Sequence, residues 1–117
     1  MSAGIYNDII DQGATYQLVV VYKDDNDVPI NLTGFTAFMQ LREGFDSTVA
    51  DLTLSTANGG ISINGALGQI TVIATATQTG ALTSDFYLYD LELVNGSTVI
   101  RLLQGQFTVN SEVTRVS

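Results

Sequence analysis

Apolar and polar residues alternate with period two over most of the chain, and no stretch keeps an apolar stripe at i, i+3, i+4 and i+7 for three helical turns. Such alternation puts successive side chains on opposite faces of a pleated strand, so the pattern predicts a nearly all-β protein. A first strand is expected over residues 5–10, broken by Asp11, Gln12 and Gly13. A second, over 14–23, groups Tyr16, Leu18, Val20 and Tyr22 on one face, while Val19 and Val21 make its other face apolar too. A strand apolar on both faces is central, or is covered on its second side by something else.

Asp24, Asp25, Asn26 and Asp27 then form a turn, Pro29 fixes the backbone, and Thr33 with Gly34 introduces a strand over 35–43. Short strands follow over 49–55, 61–63 and 69–76, divided by Asn-Gly and Gly-Gly steps that supply the positive φ values of tight turns. Residues 77–82 read as a single helical turn or irregular crossover. The clearest unit comes last: strands over 85–94 and 98–109 flank Asn95-Gly96, a strong hairpin signal. On its first arm Tyr87, Tyr89, Leu91 and Leu93 share one face, and Phe86, Leu88, Asp90 and Glu92 share the other. On its second arm strict alternation groups Val99, Arg101, Leu103, Gly105, Phe107 and Val109. About eight short strands with no room for helical crossovers predict an antiparallel β-sandwich, immunoglobulin-like or related, over residues 1–117 as one domain. A small β-barrel is the alternative, and residues 111–117 read as a fraying end.

Composition narrows the chemistry. The 117 residues include no Cys, His or Trp, which removes disulfides, Cys or His zinc sites, thiol nucleophiles and imidazole-based acid/base schemes. With 12 Asp plus Glu against 4 Lys plus Arg, the net charge of -8 lacks the basic stripe that nucleic acid requires. No run approaches the length of a membrane span, and the N-terminus lacks the basic and apolar regions of an export signal. Only 14% of residues are charged, against about a quarter in ordinary domains, while 45% are hydrophobic. Neutral polar groups must therefore cover the surface, or a partner must hide part of it. The second-face residues Val19, Val21, Phe86, Leu88, Ile100 and Leu102 are the candidate interface.

Few constellations could carry catalysis. Asp90 and Glu92 are spaced to become neighbouring carboxylates, the pairing glycosidases use, but a solvent-facing strand with Arg101 across the hairpin accounts for them more simply. Asp24, Asp25, Asn26 and Asp27 cluster oxygen ligands without the Gly and the bidentate Glu of a calcium loop, which favours a solvated turn. Gly59, Gly60, Gly65 and Gly68 open no helix and precede no Lys, as a phosphate cradle would require. Asn31-Leu32-Thr33 and Asn95-Gly96-Ser97 match the glycosylation pattern but have no export signal to give it effect. Tyr6, Tyr16, Tyr22, Tyr87 and Tyr89 could stack on sugar rings, although most lie in apolar rows that predict core packing. No cofactor, metal or catalytic residue is assigned.

Read in order, the phrases resemble a known group. IDQGATYQLVVVYKDDNDVPINLTGFTAFMQLRE resembles the N-terminal part of bacteriophage virion proteins with an immunoglobulin-like sandwich, akin to the upper baseplate protein N-terminal domain. The phrases STANGGISI, GALGQITVIATATQTGAL, YDLEL and LLQGQFTVNSEVTR continue the likeness over nearly the whole chain. One position departs: the acidic turn of that group ends in Gly, where this chain has Asp27 and Val28. The resemblance implies a non-enzymatic structural protein of the virion, made in the bacterial cytoplasm and present in repeated copies or as a homo-oligomer. A tail, baseplate or neck adaptor that binds other virion proteins is the leading form, and a head decoration protein on the capsid surface is the alternative. A carbohydrate-binding module for host attachment, using Tyr6 and Tyr16, is a more distant one. Nucleic acid and membrane are not expected partners.

Overall fold

The computed structural model describes residues 4–44 and 47–111. Its strands are β1 (Gly4–Ile5), β2 (Asp8–Asp11), β3 (Tyr16–Val21), β4 (Thr36–Arg42), β5 (Leu52–Ser55), β6 (Ile61–Asn64), β7 (Gln69–Ala74), β8 (Phe86–Asn95) and β9 (Thr98–Asn110). A 3-10 turn, Gly65–Leu67, precedes β7, and the short helix α1 (Ala76–Gly80) follows it. One sheet runs β1-β9-β8-β4-β5, with β2 also paired to β9, and the other runs β3-β7-β6. The two sheets pack face to face as an all-β sandwich, not a closed barrel. The strand order matches the immunoglobulin-like arrangement.

Alternation builds the core. On β8, Tyr87, Tyr89, Leu91 and Leu93 are buried, and they meet Ala37, Met39 and Leu41 of β4 on the same inner face. Ile70, Val72 and Ala74 of β7 and Ile61 of β6 close the core from the opposite sheet. Full burial of one such side chain stabilises by about 1.5–3 kcal/mol, so these rows dominate the energetics. Tyr87 keeps its polar end satisfied: its hydroxyl accepts from the N–H groups of Thr83 and Ser84, both at 3.1 Å. This is the tyrosine corner of immunoglobulin-like domains, made at the crossing from β7 to β8.

Local chemistry accounts for the element ends. The expected strand over 69–76 stops at Ala74 because Thr75 caps α1. Its hydroxyl accepts from Gln78 N–H at 3.1 Å, and Gln78 Oε1 accepts from Thr75 N–H at 2.8 Å, a reciprocal capping box. Buried Thr79 of α1 donates to the Ala14 carbonyl at 2.8 Å and accepts from Gly13 N–H at 3.0 Å, fixing the turn before β3. In the acidic turn, Asp24 Oδ1 accepts from Asn26 and Val28 N–H at 2.9 and 3.0 Å. Asp27 has φ 65°, a left-handed conformation that glycine would adopt more easily.

Two expectations are corrected. The stretch over 5–10 is not one strand: β1 and β2 both pair with β9 in parallel, interrupted at Tyr6 and Asn7. There Asn7 Oδ1 accepts from Gln106 N–H at 3.0 Å, and Tyr89 donates to the Tyr6 carbonyl at 2.6 Å. Gly105 makes this approach possible, since a Cβ there would collide with the Tyr6 carbonyl oxygen. Strict alternation also fails on β9. Leu91 pairs with Leu103 but Glu92 pairs with Arg101, so Leu102 is the extra residue of a β-bulge. Val99 and Arg101 consequently leave the row of Leu103, Gly105, Phe107 and Val109, and Ile100, opposite Leu93, joins it on the core side. The fraying end expected at 111–117 lies outside the described residues beyond Ser111.

Two substitutions test these backbone constraints by chemical denaturation. Gly105→Ala should cost about 1–3 kcal/mol, the range for overpacking a site that cannot yield. Asp27→Val should cost about 1–2 kcal/mol because a β-branched side chain opposes the left-handed φ, whereas Asp27→Gly should be tolerated.

Candidate functional site

Alternation and the bulge together set the outer face of the larger sheet. Phe38, Gln40 and Arg42 of β4 stand opposite Glu92, Asp90 and Leu88 of β8, and beyond them lie Arg101, Gln104 and Gln106 of β9. This face holds a groove of about 530 Å³, bordered by Ile5 and Asn7 on one side and by Arg42 and Gly44 on the other. Asp90 and Glu92, the two carboxylates singled out from sequence, both line it, and both belong to Arg101. Its Nε lies 3.5 Å from Asp90 Oδ2 and 3.6 Å from Glu92 Oε2. Arg42 is held by its own strand and the following loop, donating to Gln40 Oε1 at 2.8 Å and to the Ser47 carbonyl at 2.9 Å. The groove therefore brings two cations and two anions to one surface, beside Ile5, Leu88 and Tyr89. That surface can hydrogen-bond a ligand from several directions.

The candidate interface residues separate. Val19 and Val21 lie on the outer face of β3, 46% and 41% exposed, and Phe86 and Leu88 lie on the outer face of β8. Ile100 and Leu102 are partly buried and packed against the core, because the bulge turned them from the row that alternation assigned. They form no surface with the other four. Gln40, Gln104 and Gln106, which the sequence reading did not single out, contribute more to the groove than Phe86, which does not line it. Their only sequence signal was a polar residue in the outer row of a strand.

The tyrosines are used for structure. Tyr87 and Tyr89 are buried, and Tyr16 packs edge-on against Phe107 with ring centroids 5.3 Å apart at 81°. Tyr16 and Tyr6 both donate to Asp8 Oδ2, at 2.7 and 3.0 Å. Ile9 N–H donates to Asp8 Oδ1 at 2.8 Å. Burial raises the carboxyl pKa of Asp8, but the hydrogen bonds from Tyr16, Ile9 and Tyr6 outweigh it and hold the group below its ordinary range. Burial, then the bond to Asp8, pushes the Tyr16 hydroxyl well above its usual range. Among the described residues, no group of three or more carboxylates is placed to hold a metal ion. No described helix is long and apolar enough to cross a membrane.

The depressed carboxyl of Asp8 links stability to pH. Its stabilising contribution is fully present above the unfolded value near 3.8 and is lost as pH falls through the lower folded value. Asp8→Asn should lower unfolding free energy by about 1 kcal/mol at neutral pH, a charge-assisted hydrogen bond discounted for partial exposure. Denaturation of both proteins as a function of pH should show that difference shrinking only in acid below the ordinary Asp range. Compared with protein-family models and with curated proteins, the sequence matches no family model and no curated relative.

Proposed function

We propose that the protein is a non-enzymatic structural component of a bacteriophage particle, a tail, baseplate or neck adaptor that docks on other virion proteins through the β3-β7-β6 sheet. One observation carries the proposal. The outer rows of that sheet hold Gln17, Val19 and Val21 on β3, Gln69, Thr71 and Ile73 on β7, and Ser62 and Asn64 on β6, with no charge among them. Lys23 lies past the end of β3 and pairs with Asp27 at 3.4 Å. On a chain of net charge -8, a whole sheet face without a carboxylate is where another acidic protein can approach without repulsion.

The edge supports the same reading. β3 is the end strand of its sheet. Isolated edges are ordinarily blunted by Lys, Pro or a bulge, and the sequence YQLVVV contains none of these. A partner strand or sheet would bury Val19, Val21 and Ile73, of which the last is 39% exposed. The order of phrases resembling baseplate proteins agrees with an adaptor of this kind, and Arg101 between Asp90 and Glu92 suits a structural polar surface better than an acid/base pair.

Mass spectrometry of particles purified from the phage or prophage that encodes the chain should detect it at fixed stoichiometry, a handful of copies for a tail adaptor. A copy number near that of the major capsid protein would instead assign it to head decoration. Val19→Asp with Val21→Asp should keep the fold, since both side chains face solvent, and should abolish incorporation. Absence of the wild-type chain from particles would overturn the proposal.

A further inference from the structure

We infer that the groove on the outer face of the larger sheet binds an uncharged oligosaccharide. Its charges balance: Arg42 and Arg101 stand against Asp90 and Glu92, although the chain as a whole carries -8. An anionic ligand would meet the field of the chain and two carboxylates, and a cationic one would find Asp90 and Glu92 already paired with Arg101. A greasy ligand would find only Ile5 and Leu88 as large aliphatic side chains among the lining residues. What remains is a neutral ligand rich in hydrogen-bonding groups.

The side chains suit hydroxyls in particular. Amides, carboxylates and guanidinium groups are planar, with two donor or acceptor atoms side by side, and so can engage neighbouring hydroxyls of one sugar ring together. Gln104 and Gln106 are exposed on β9, and their side-chain amides bond to no group among the described residues. They need not give up an internal bond to take a ligand. Phe38 precedes Gln40 in the same outer row, pairs with Glu92 and is 41% exposed. It stands beside the lining residues Gln40 and Glu92 without lining the groove itself. The volume of about 530 Å³ lies within the range of about 300–1,000 Å³ typical of small-molecule sites and leaves room for a short oligosaccharide.

The groove and the β3 face lie on opposite sheets, so sugar binding does not depend on the virion role, and loss of either leaves the other testable. The full chain should be applied to a printed array of uncharged oligosaccharides, with sialylated and phosphorylated glycans beside them. Saturable binding to at least one uncharged glycan is expected, weakened by roughly tenfold or more in a Gln104→Ala, Gln106→Ala double variant and retained in Val19→Asp. Because the ligand is neutral, affinity should change by less than about twofold between about 0.1 M and about 1 M salt. Circular dichroism of the double variant should match the wild type, since neither amide holds the fold. No binding to any uncharged glycan, binding confined to anionic glycans, or binding that the double variant keeps would each overturn the inference.

Discussion

The double pairing of β9 is the constraint on which the rest depends. Its thirteen residues carry β8 along one side in antiparallel register and receive β1 and β2 along the other in parallel. A strand so placed cannot slide, because moving it by one residue would turn Phe107 and Val109 out of the core and break pairing on both sides. Its two irregularities therefore have large effects. At Gly105 the chain of β1 and β2 comes close enough for Tyr89 to donate to the Tyr6 carbonyl. At Leu102 the bulge changes which side chains face solvent and puts Arg101 beside Asp90 and Glu92.

What was legible in the sequence was whatever depends on neighbours in the chain. The hairpin at Asn95-Gly96 is present, with Gly96 at φ 61°, and the inner row of β8 is the alternation read off as letters. The helical turn is there as well, displaced only because Thr75 and Gln78 close a capping box. The acidic turn also formed, with Asp27 taking the left-handed conformation that glycine would adopt more easily. In each case a local interaction of a few residues decides the structure.

What was not legible depends on partners distant in sequence. Nothing in the residues 5–10 announces that their partner is β9 rather than β3, or that the pairing is parallel, since alternation is the same in either direction. The bulge at Leu102 leaves no mark either: Ile100, Arg101, Leu102 and Leu103 alternate imperfectly, and only the fixed positions of Leu91 and Leu93 across the ladder show which residue is extra. The groove suffers most from this. Its side chains come from β4, β8 and β9 and from the β1 segment at Ile5 and Asn7, and Gln40, Gln104 and Gln106 each look like an ordinary solvent-facing residue until the sheet brings them together. Of the groove, only Asp90, Glu92 and Arg101 could be associated beforehand, because a hairpin makes them near neighbours.

The scarcity of charge takes a different meaning once both outer faces are placed. A protein with few charged residues could spread them evenly, but here the larger sheet concentrates a balanced set in a groove while the smaller sheet holds none within its strands. Uncompensated carboxylates such as Asp24 and Asp25 fall in turns, at the ends of the sandwich. Such carboxylates place part of the net negative charge outside the strands. Because inner and outer rows alternate on each strand, either outer face can be occupied without disturbing the other. A sandwich core about 10 Å thick separates them, and its side chains are already fully packed. One small domain in this way carries an uncharged outer face on one sheet and a charge-balanced one on the other, with the bulge of β9 defining the second.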